Sequence, residues 1–496
     1  MNELNPEIIT TREPETSVLQ LEKAAVALHV ATLLSRPERS AKGAPQPDSN
    51  CPDFRAMELD LLSYGFQLAP PLISQREFQE PIPVRIRFPE RTMYHSEGRP
   101  ILLPCPTQQR DAEILVSSTL FPESGFRIWH YVFKPKNGTS FTEFDLLKLI
   151  HLYDGRIEST GLRDTVLFDL EAGWSVKAAT GIRIGELLAR LGGAPPGKSW
   201  TPQAGTVAIL AAGELETVLE PVRKAQPGQG AEASRKLKGW FSKDTPEAAM
   251  LKACCGIVTG SFAHTEFDAE EVFGILERGF DFPHFIRFHR CTLTSISGES
   301  RALEECWDTI GISPYLLIPH AVVLNNEALV KRADDAISPV LGKPSARIGR
   351  LEQARAIAEK SLRCDFVPNI FHGPTERSLL ARGWESRGTE DRRSRAMLKL
   401  EGLCWVIEAR WQRRRETGQA VMACLLALIL TLHGRQLLFE ALSPRMPEPW
   451  KWAVLGAIAL GISFAIFAFS RLGLRGEKGG KTLQPVAIHP DGRPPC

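Results

Sequence analysis

The chain has 496 residues, and its 60 basic side chains nearly balance its 58 acidic ones, for a formal net charge of +2. Because binding to phosphate over an extended surface needs a strong positive field, this balance argues against a nucleic-acid partner. The ten cysteines include no Cys-x-x-Cys pair, which argues against a zinc ribbon or a disulfide scaffold and predicts reduced, structural thiols.

The first fifty or so residues combine an apolar stretch with a linker. The chain starts acidic and polar, without the apolar core of a secretory signal, so we expect the protein to stay in the cytoplasm. Residues 17–36 place apolar side chains at helical spacing, which predicts an amphipathic helix. Few charges on its polar face favour docking on the protein over binding to a membrane. The stretch up to residue 52 is typical of a linker.

Residues 53–310 predict an α/β cytoplasmic domain. The runs PIPVRIRF and RIWHYVF alternate apolar and polar side chains, as strands with one solvated face do. FTEFDLLKLIHLYDG changes to helical periodicity, with Thr142 as the N-cap and Gly155 as the stop. The basic, Gly- and Pro-rich segment from Arg223 to Glu247 predicts a surface excursion. Together these patterns indicate a mixed α/β order.

The segment GGAPPGKS, from Gly192 to Ser199, matches the phosphate-loop pattern G-x-x-x-x-G-K-[ST]. Such a loop follows a strand and precedes a helix, whereas a helical pattern precedes this one. Pro195 and Pro196 also lack the backbone N–H groups that would hold phosphate. A loop after a helix is therefore favoured over nucleotide binding through Lys198.

Asp281, His284 and His289 lie close in sequence among aromatic residues. A metal site needs ligands at defined spacing on one element, and Pro283 interrupts this one. Packed or surface histidines are therefore favoured over a metal centre. Because no Ser/His/Asp or paired-carboxylate arrangement stands out, the sequence predicts a protein that is not an enzyme.

Residues 311–388 predict the helical part of the cytoplasmic body, with an irregular stretch from Phe366 to Gly388. A long stalk helix is predicted over residues 389–416, because Thr389 precedes the acidic residues Glu390 and Asp391 of a first turn. Along this helix and into the apolar segment that follows it, positions recur at spacings of three and four, which predicts a seam for self-association. These positions are Met397, Leu400, Cys404, Ile407 and Trp411, continued by Arg414, Gly418, Val421, Leu425, Leu428 and Leu432.

Two apolar segments predict a transmembrane hairpin over residues 417–472. The second, Trp452 to Ser470, has no charged residue over about nineteen positions, close to the ~20 that span a bilayer. The first, Thr417 to Leu432, has about sixteen and would need extra length or a thinner bilayer. Because arginines precede the first and follow the second, both termini and a tail over residues 473–496 are expected in the cytoplasm. The alternative is a buried helical hairpin.

The order of a cytoplasmic body, a long helix, two apolar segments and a basic tail resembles the CorA family of divalent-cation transporters. Met446, Pro447 and Glu448 are similar to the family's MPEL stretch ahead of its last helix. The resemblance implies an α+β cytoplasmic body followed by a long helix and a C-terminal two-helix transmembrane hairpin. It also implies a homopentamer in a cell inner membrane, with no cofactor beyond a transported divalent cation.

The chain departs from that family at the outer end of the first apolar segment. The Gly-Met-Asn signature is absent, and Gly434, Arg435 and Gln436 stand at its place. A ring of guanidinium groups at a pore mouth would repel Mg²⁺, whereas Arg435 facing lipid headgroups would leave the pore unaffected.

The resulting hypothesis is an oligomeric ion channel or transporter gated by its cytoplasmic domain. The alternative is a ligand-gated membrane effector, in which the soluble domain senses a small molecule or ion and the hairpin perturbs the membrane. A third hypothesis is a membrane-anchored enzyme that uses the GGAPPGKS loop. The candidate pore or pore-mouth residues are Thr417, Gln419, Thr431, His433, Gly434, Arg435 and Gln436.

Overall fold

The structure is a computed structural model, in which contacts divide the chain into two units. The first comprises Met1–Ala336 and Ala356–Leu398, and the second comprises Ile337–Arg355 and Lys399–Cys496. The residues that the structure describes are 10–11, 17–33, 74–76, 81–89, 91–96, 99–104, 109–121, 123–152, 165–171, 178–191, 204–224, 231–276, 280–281, 284–289, 291–298, 314–343, 345–368, 371, 374–434, 440, 447–454, 456–458, 460–461 and 464.

The strands of the described residues all belong to the first unit. They are β1 (Thr10–Thr11), β2 (Gln20–Leu21), β3 (Lys23–Leu33), β4 (Ser74–Arg76), β5 (Ile82–Arg87), β6 (Arg91–Ser96), β7 (Arg99–Pro104), β8 (Gln109–Phe121), β9 (Phe126–Pro135), β10 (Phe141–Thr142), β11 (Leu167–Leu170), β12 (Ala179–Ile182), β13 (Ala204–Ala211), β14 (Phe280–Asp281), β15 (His284–His289) and β16 (Thr292–Ser297).

Helices follow and interleave with these strands. They are α1 (Glu143–His151), α2 (Ile184–Arg190), α3 (Gly213–Lys224), α4 (Ala231–Ser242), α5 (Pro246–Thr259), α6 (Ala269–Leu276), α7 (Pro314–Leu341), α8 (Ile348–Glu359), α9 (Pro374–Ser386) and α10 (Thr389–His433). A 3₁₀ turn covers His264–Glu266, and a π-helical turn covers Lys360–Cys364.

One large sheet organises the first unit. Its strands lie in the order β12-β11-β5-β8-β9-β3-β13-β16-β15-β14, with β4 paired to β8. All neighbours are antiparallel except β13 and β16, whose parallel pairing needs a crossover that α3 to α6 provide in the chain. Apolar side chains of α1 to α6 pack on one face of the sheet, and those of α7 and α9 pack on the other. The central strands are therefore covered on both faces.

The predicted N-terminal amphipathic helix is wrong, because its apolar residues form the central strand β3. This strand pairs with β9 on one side and β13 on the other. Val26 and Leu28 contribute to one apolar core, while Ala25 and Ala27 contribute to the core on the opposite face. A strand buried on both faces is a continuous apolar run, whose periodicity does not distinguish it from a buried helix.

Some of the local predictions in the α/β region are confirmed. The run PIPVRIRF forms β5, in which buried and more exposed side chains alternate as expected. At α1, the Thr142 hydroxyl accepts the Asp145 N–H at 3.2 Å, and the Asp145 carboxylate accepts the Thr142 N–H at 2.9 Å. The helix ends at His151, while the predicted stop at Gly155 lies outside the described residues.

The run RIWHYVF forms β9, in which the predicted solvated face is limited to Arg127 and Trp129, whose side chains are partly exposed, and does not extend to Tyr131. His130 and Tyr131 are adjacent and point to opposite faces, yet their exposed fractions are 0% and 1%. The sheet is covered on both sides at His130 and Tyr131, so the alternation of side-chain polarity continues there without a solvated face.

The predicted surface excursion from Arg223 to Glu247 instead contains the end of α3, the whole of α4 and the start of α5. Leu237 of α4 is fully buried in the core. Packing of one apolar side chain against the core stabilises a short helix that its Gly- and Pro-rich neighbourhood does not predict.

The predicted irregular stretch from Phe366 to Gly388 is also wrong, since most of it is α9. Pro374 is the first helical residue, where its missing N–H leaves no hydrogen bond unmade. Gly383 does not break the helix but lets it approach α7, because a Cβ there would lie 2.6 Å from Val323 Cγ2.

The long helix α10 begins at Thr389 as predicted and runs for 45 residues. Within the described residues, however, none of the helices combines the length and the apolar character that crossing a bilayer requires. Charged residues up to Glu416 and the terminal His433 bound the apolar part of α10, leaving it shorter than the ~20 residues needed. The predicted transmembrane hairpin over residues 417–472 is therefore wrong. The inner-membrane localisation and the channel class depend on this hairpin and are wrong with it.

The fold is corrected to α+β with a long C-terminal helix. Only pieces of the second apolar segment are described, at residues 452–454, 456–458, 460–461 and 464. The described ranges also leave out residues 192–200, so the GGAPPGKS loop lies outside them.

Candidate functional site

The C-terminal part of α10 exposes a continuous set of large apolar side chains. Each of them is between 44% and 70% exposed. We call this set the apolar face of α10, and its members are Val421, Met422, Leu425, Leu426, Leu428, Ile429 and Leu430. Monomeric proteins rarely expose a large contiguous apolar surface, and such a surface marks a site of interaction.

The predicted self-association seam divides into two parts along this helix. Leu400 and Ile407 are each only 3% exposed, so the chain itself covers the first part. Val421, Leu425 and Leu428 continue the same spacing, but 44–54% of each side chain remains exposed. The second part of the seam is therefore available to another molecule.

The predicted pore residues do not come together within the described part of the chain. Thr417 and Gln419 are exposed on α10, where the Thr417 hydroxyl donates to the Arg413 carbonyl at 2.8 Å. His433 is the exposed last residue of α10, and Gly434 follows it. Pro447 and Glu448 are exposed, while Arg435, Gln436, Met446 and the side chain of Thr431 lie outside the described residues.

The second feature is polar and lies inside the core, on the sheet face that α7 covers. Ser117 on β8, His130 on β9, His29 on β3 and Gly205 on β13 occupy directly opposite positions on four neighbouring strands. His320 of α7 packs on this line, because a Cβ on Gly205 would lie 2.7 Å from its Cε1 atom. We call these five residues the histidine row.

The three imidazole rings contact one another. His29 and His320 share a hydrogen bond of 2.7 Å between their Nδ1 atoms, so one ring donates and the other accepts. The His29 and His130 ring centroids are 4.3 Å apart in an edge contact. His130 Nε2 lies 2.7 Å from the Thr119 hydroxyl, and the His320 ring stacks on Phe288 with centroids 5.7 Å apart. The rings are held in fixed orientations.

Burial keeps these histidines neutral. It lowers the pKa of His130 to about 3. Burial also lowers the pKa of His29 well below its ordinary value, and the neighbouring His130 and His320 add to this. For His320 burial again acts first and Arg387 second, while the Cys291 carbonyl acts weakly in the opposite direction. A proton added to the histidine row would therefore be a buried charge without a counterion among these neighbours.

An ion-pair cluster helps to position α7 over the histidine row. Glu327 of α7 accepts hydrogen bonds from Arg387 at 2.5 Å and from Arg392 at 2.7 Å. Arg387 also donates to the carbonyl of Ala204, next to Gly205 on β13, at 3.1 Å. Burial would raise the pKa of Glu327, but the two guanidinium groups hold it below its ordinary value.

The histidine row is not arranged as a metal centre. Among the described residues, no group of three or more His, Cys, Asp or Glu side chains could hold a metal ion. His29 Nε2 and His130 Nδ1 have no hydrogen-bond partner among those residues. The row instead places neutral polar groups where protonation would oppose folding. The signal in the sequence is that each histidine stands alone inside a mainly apolar run, in VALHVAT, RIWHYVF and LIPHAVV, but nothing in the sequence shows that these three runs meet.

The fold and these features define an α+β protein with a long, partly uncovered C-terminal helix. No protein-family model matches the chain, and neither a curated protein nor a solved structure is significantly similar to it. The resemblance to the CorA family therefore stays a prediction.

Proposed function

We propose that this protein is an assembly protein, in which copies of the chain associate through the apolar face of α10. The observation that carries the proposal is the exposure of seven large apolar side chains, each 44–70% exposed, in one stretch of the helix. Leaving such a surface in water is unfavourable, and a second molecule that covers it removes the penalty.

The size of the apolar face sets the free energy available for association. Each of its seven side chains is about half exposed, so complete burial contributes roughly 1 kcal/mol per side chain. Two copies together therefore contribute roughly 14 kcal/mol, against an estimated 4 to 15 kcal/mol for lost freedom of motion. The difference runs from about 10 kcal/mol in favour of association to about 1 kcal/mol against it, and micromolar association requires a cost below about 6 kcal/mol.

A second copy of the chain is the partner that the pattern favours. Val421, Leu425 and Leu428 recur at spacings of four and three, the spacing at which similar helices pack side chains into one another's gaps. Residues 417–430 contain no charged side chain, so the face offers no complementary charge to a polar partner. An equally uncharged helix is suited to it, and α10 of another copy is such a helix.

Sedimentation velocity of the full chain, purified without detergent at micromolar concentration, tests the proposal. We expect a discrete oligomer for the natural chain and a monomer for the double variant Leu425→Glu, Leu428→Glu, because buried carboxylates would oppose the contact. Leu398→Glu is the matched control, since Leu398 is 63% exposed on the same helix but outside the apolar face.

Two outcomes would overturn the proposal. One is a natural chain that sediments as a monomer over the whole concentration range. The other is an oligomer that the double variant leaves intact, since the apolar face would then not hold the copies together. Monomers that bind to lipid vesicles through these residues would assign the face to a lipid surface, which also contradicts self-assembly.

A further inference from the structure

The second unit contains a cleft of about 800 Å³ between α8 and α10. Its volume lies in the range of clefts that bind small molecules, roughly 300 to 1,000 Å³. From α8 it is lined by Glu352 and Arg355, and from α10 by residues that include Trp411, Arg414 and Arg415. It lies outside both the apolar face of α10 and the histidine row.

An aromatic ring forms part of the cleft wall and is held in place. The Trp411 indole N–H donates to Glu352 Oε1 at 3.0 Å, which links the ring on α10 to α8. The Arg414 guanidinium lies 6.0 Å from the centre of the Trp411 ring. Trp411 is 43% exposed, so part of its surface remains open to a planar ligand. Stacking on such a ring contributes roughly 1 to 3 kcal/mol for a nucleic-acid base.

The cleft also contains three cationic side chains that have no carboxylate partner among the described residues. Within the described residues, Arg355, Arg414 and Arg415 form no ion pair, although many other arginines of the chain do. A guanidinium group presents paired N–H donors that match the oxygens of a phosphate group. Three such groups around one cleft therefore favour a ligand with a phosphate.

Acidic residues in the same wall narrow the class of ligand further. Glu352 is bonded to Trp411, and Glu408 lines the cleft as well. Carboxylates repel a simple polyanion but accept hydrogen bonds from sugar hydroxyls and from the amino groups of a base. A molecule that has a planar ring, hydrogen-bond donors and one phosphate can contact the tryptophan ring, the glutamates and the arginines of the cleft at the same time.

We propose that the cleft between α8 and α10 binds a nucleoside monophosphate. Trp411 stacks on the base, Glu408 accepts hydrogen bonds from the sugar or base, and the three arginines hold the phosphate. The proposal is independent of self-assembly, because it uses none of the residues of the apolar face.

Isothermal titration calorimetry of the full chain with AMP, GMP, CMP and UMP tests this inference. We expect at least one of the four nucleotides to bind. The nucleoside of that nucleotide, and inorganic phosphate, should each bind at least tenfold more weakly than the nucleotide itself. Trp411→Ala and Arg415→Gln should each weaken that binding at least tenfold. Trp405→Ala and Arg413→Gln are the matched controls, because both residues are exposed on α10 and neither lines the cleft.

The absence of binding by all four nucleotides at millimolar concentration would overturn the inference. So would binding that Trp411→Ala and Arg415→Gln leave unchanged while Lys198→Ala abolishes it, since the ligand would then occupy the GGAPPGKS loop. Circular dichroism of each variant confirms folding, and sedimentation of the Trp411 and Arg415 variants should show the oligomer of the natural chain. If these variants lose nucleotide binding but still form the oligomer, the cleft and the apolar face of α10 are separate sites.

Discussion

Gly205→Ala tests whether the histidine row is packed as tightly as the structure indicates. The new Cβ would lie 2.7 Å from His320 Cε1, 2.8 Å from His320 Nε2 and 2.9 Å from the Cys291 carbonyl oxygen. That carbonyl accepts the Thr206 N–H at 3.0 Å, so the sheet holds it in place and the imidazole must move. Moving the ring also disturbs its 2.7 Å hydrogen bond to His29.

The expected loss of stability has two parts. Overpacking of a well-packed core costs about 1 to 3 kcal/mol. Breaking the bond between His29 and His320 costs about a further 1 kcal/mol, because both groups are fully buried. We therefore expect Gly205→Ala to lower the free energy of unfolding by roughly 2 to 4 kcal/mol.

Urea unfolding of the full chain, followed by far-ultraviolet circular dichroism, measures this loss. Gly402→Ala is the matched control, because Gly402 lies inside α10 with nothing within 4 Å of its added Cβ. The control should raise stability by up to about 1 kcal/mol, since alanine is the better helix former. Combining Gly205→Ala with His320→Ala should make the added methyl less harmful than it is alone. A loss below about 0.5 kcal/mol for Gly205→Ala would refute the reasoning.

Three further predictions concern pH and polar contacts. Burial lowers the pKa of His130 to about 3 in the folded protein, whereas its pKa in the unfolded chain is near 6.5, so the free energy of unfolding is full above pH 6.5 and falls as the pH drops. His130→Gln should make this fall less steep, by up to about 1.4 kcal/mol per pH unit. Urea unfolding from pH 7 to pH 4 measures the difference. Thr142→Ala should cost about 1 kcal/mol of unfolding free energy by removing the α1 cap, while Thr142→Ser keeps it; equal losses would contradict the capping role. Arg387→Met should lower the unfolding free energy by about 3 kcal/mol, because Glu327 loses a buried partner, and adding Glu327→Met should recover part of it; no recovery would exclude a stranded charge as the cause.

The sequence predicted correctly those helices and strands that are determined by a few neighbouring residues. Thr142, predicted as the N-cap, defined the start of α1, and Thr389 with its acidic first turn defined the start of α10. Alternation within PIPVRIRF was enough for β5, because one face of that strand has more exposed side chains. Such signals act through hydrogen bonds and spacing within a few residues, so they do not depend on the rest of the fold.

The tertiary structure decided what covers each apolar segment. The apolar run that contains His29 is a strand because β9 and β13 satisfy its backbone hydrogen bonds, and periodicity alone does not supply that information. The histidine row exists only because three distant segments, around His29, His130 and His320, meet at one line of the sheet.

The same distinction applies to α10. Its composition predicted an apolar helix, and the spacing of Leu400, Ile407 and Leu425 predicted one seam along it. Only the tertiary structure divided this seam into a part that the chain buries and a part that it leaves exposed. The physical reason is that hydrophobic burial is not directional, so a sequence determines that an apolar surface must be covered, while the packing of distant segments determines by what.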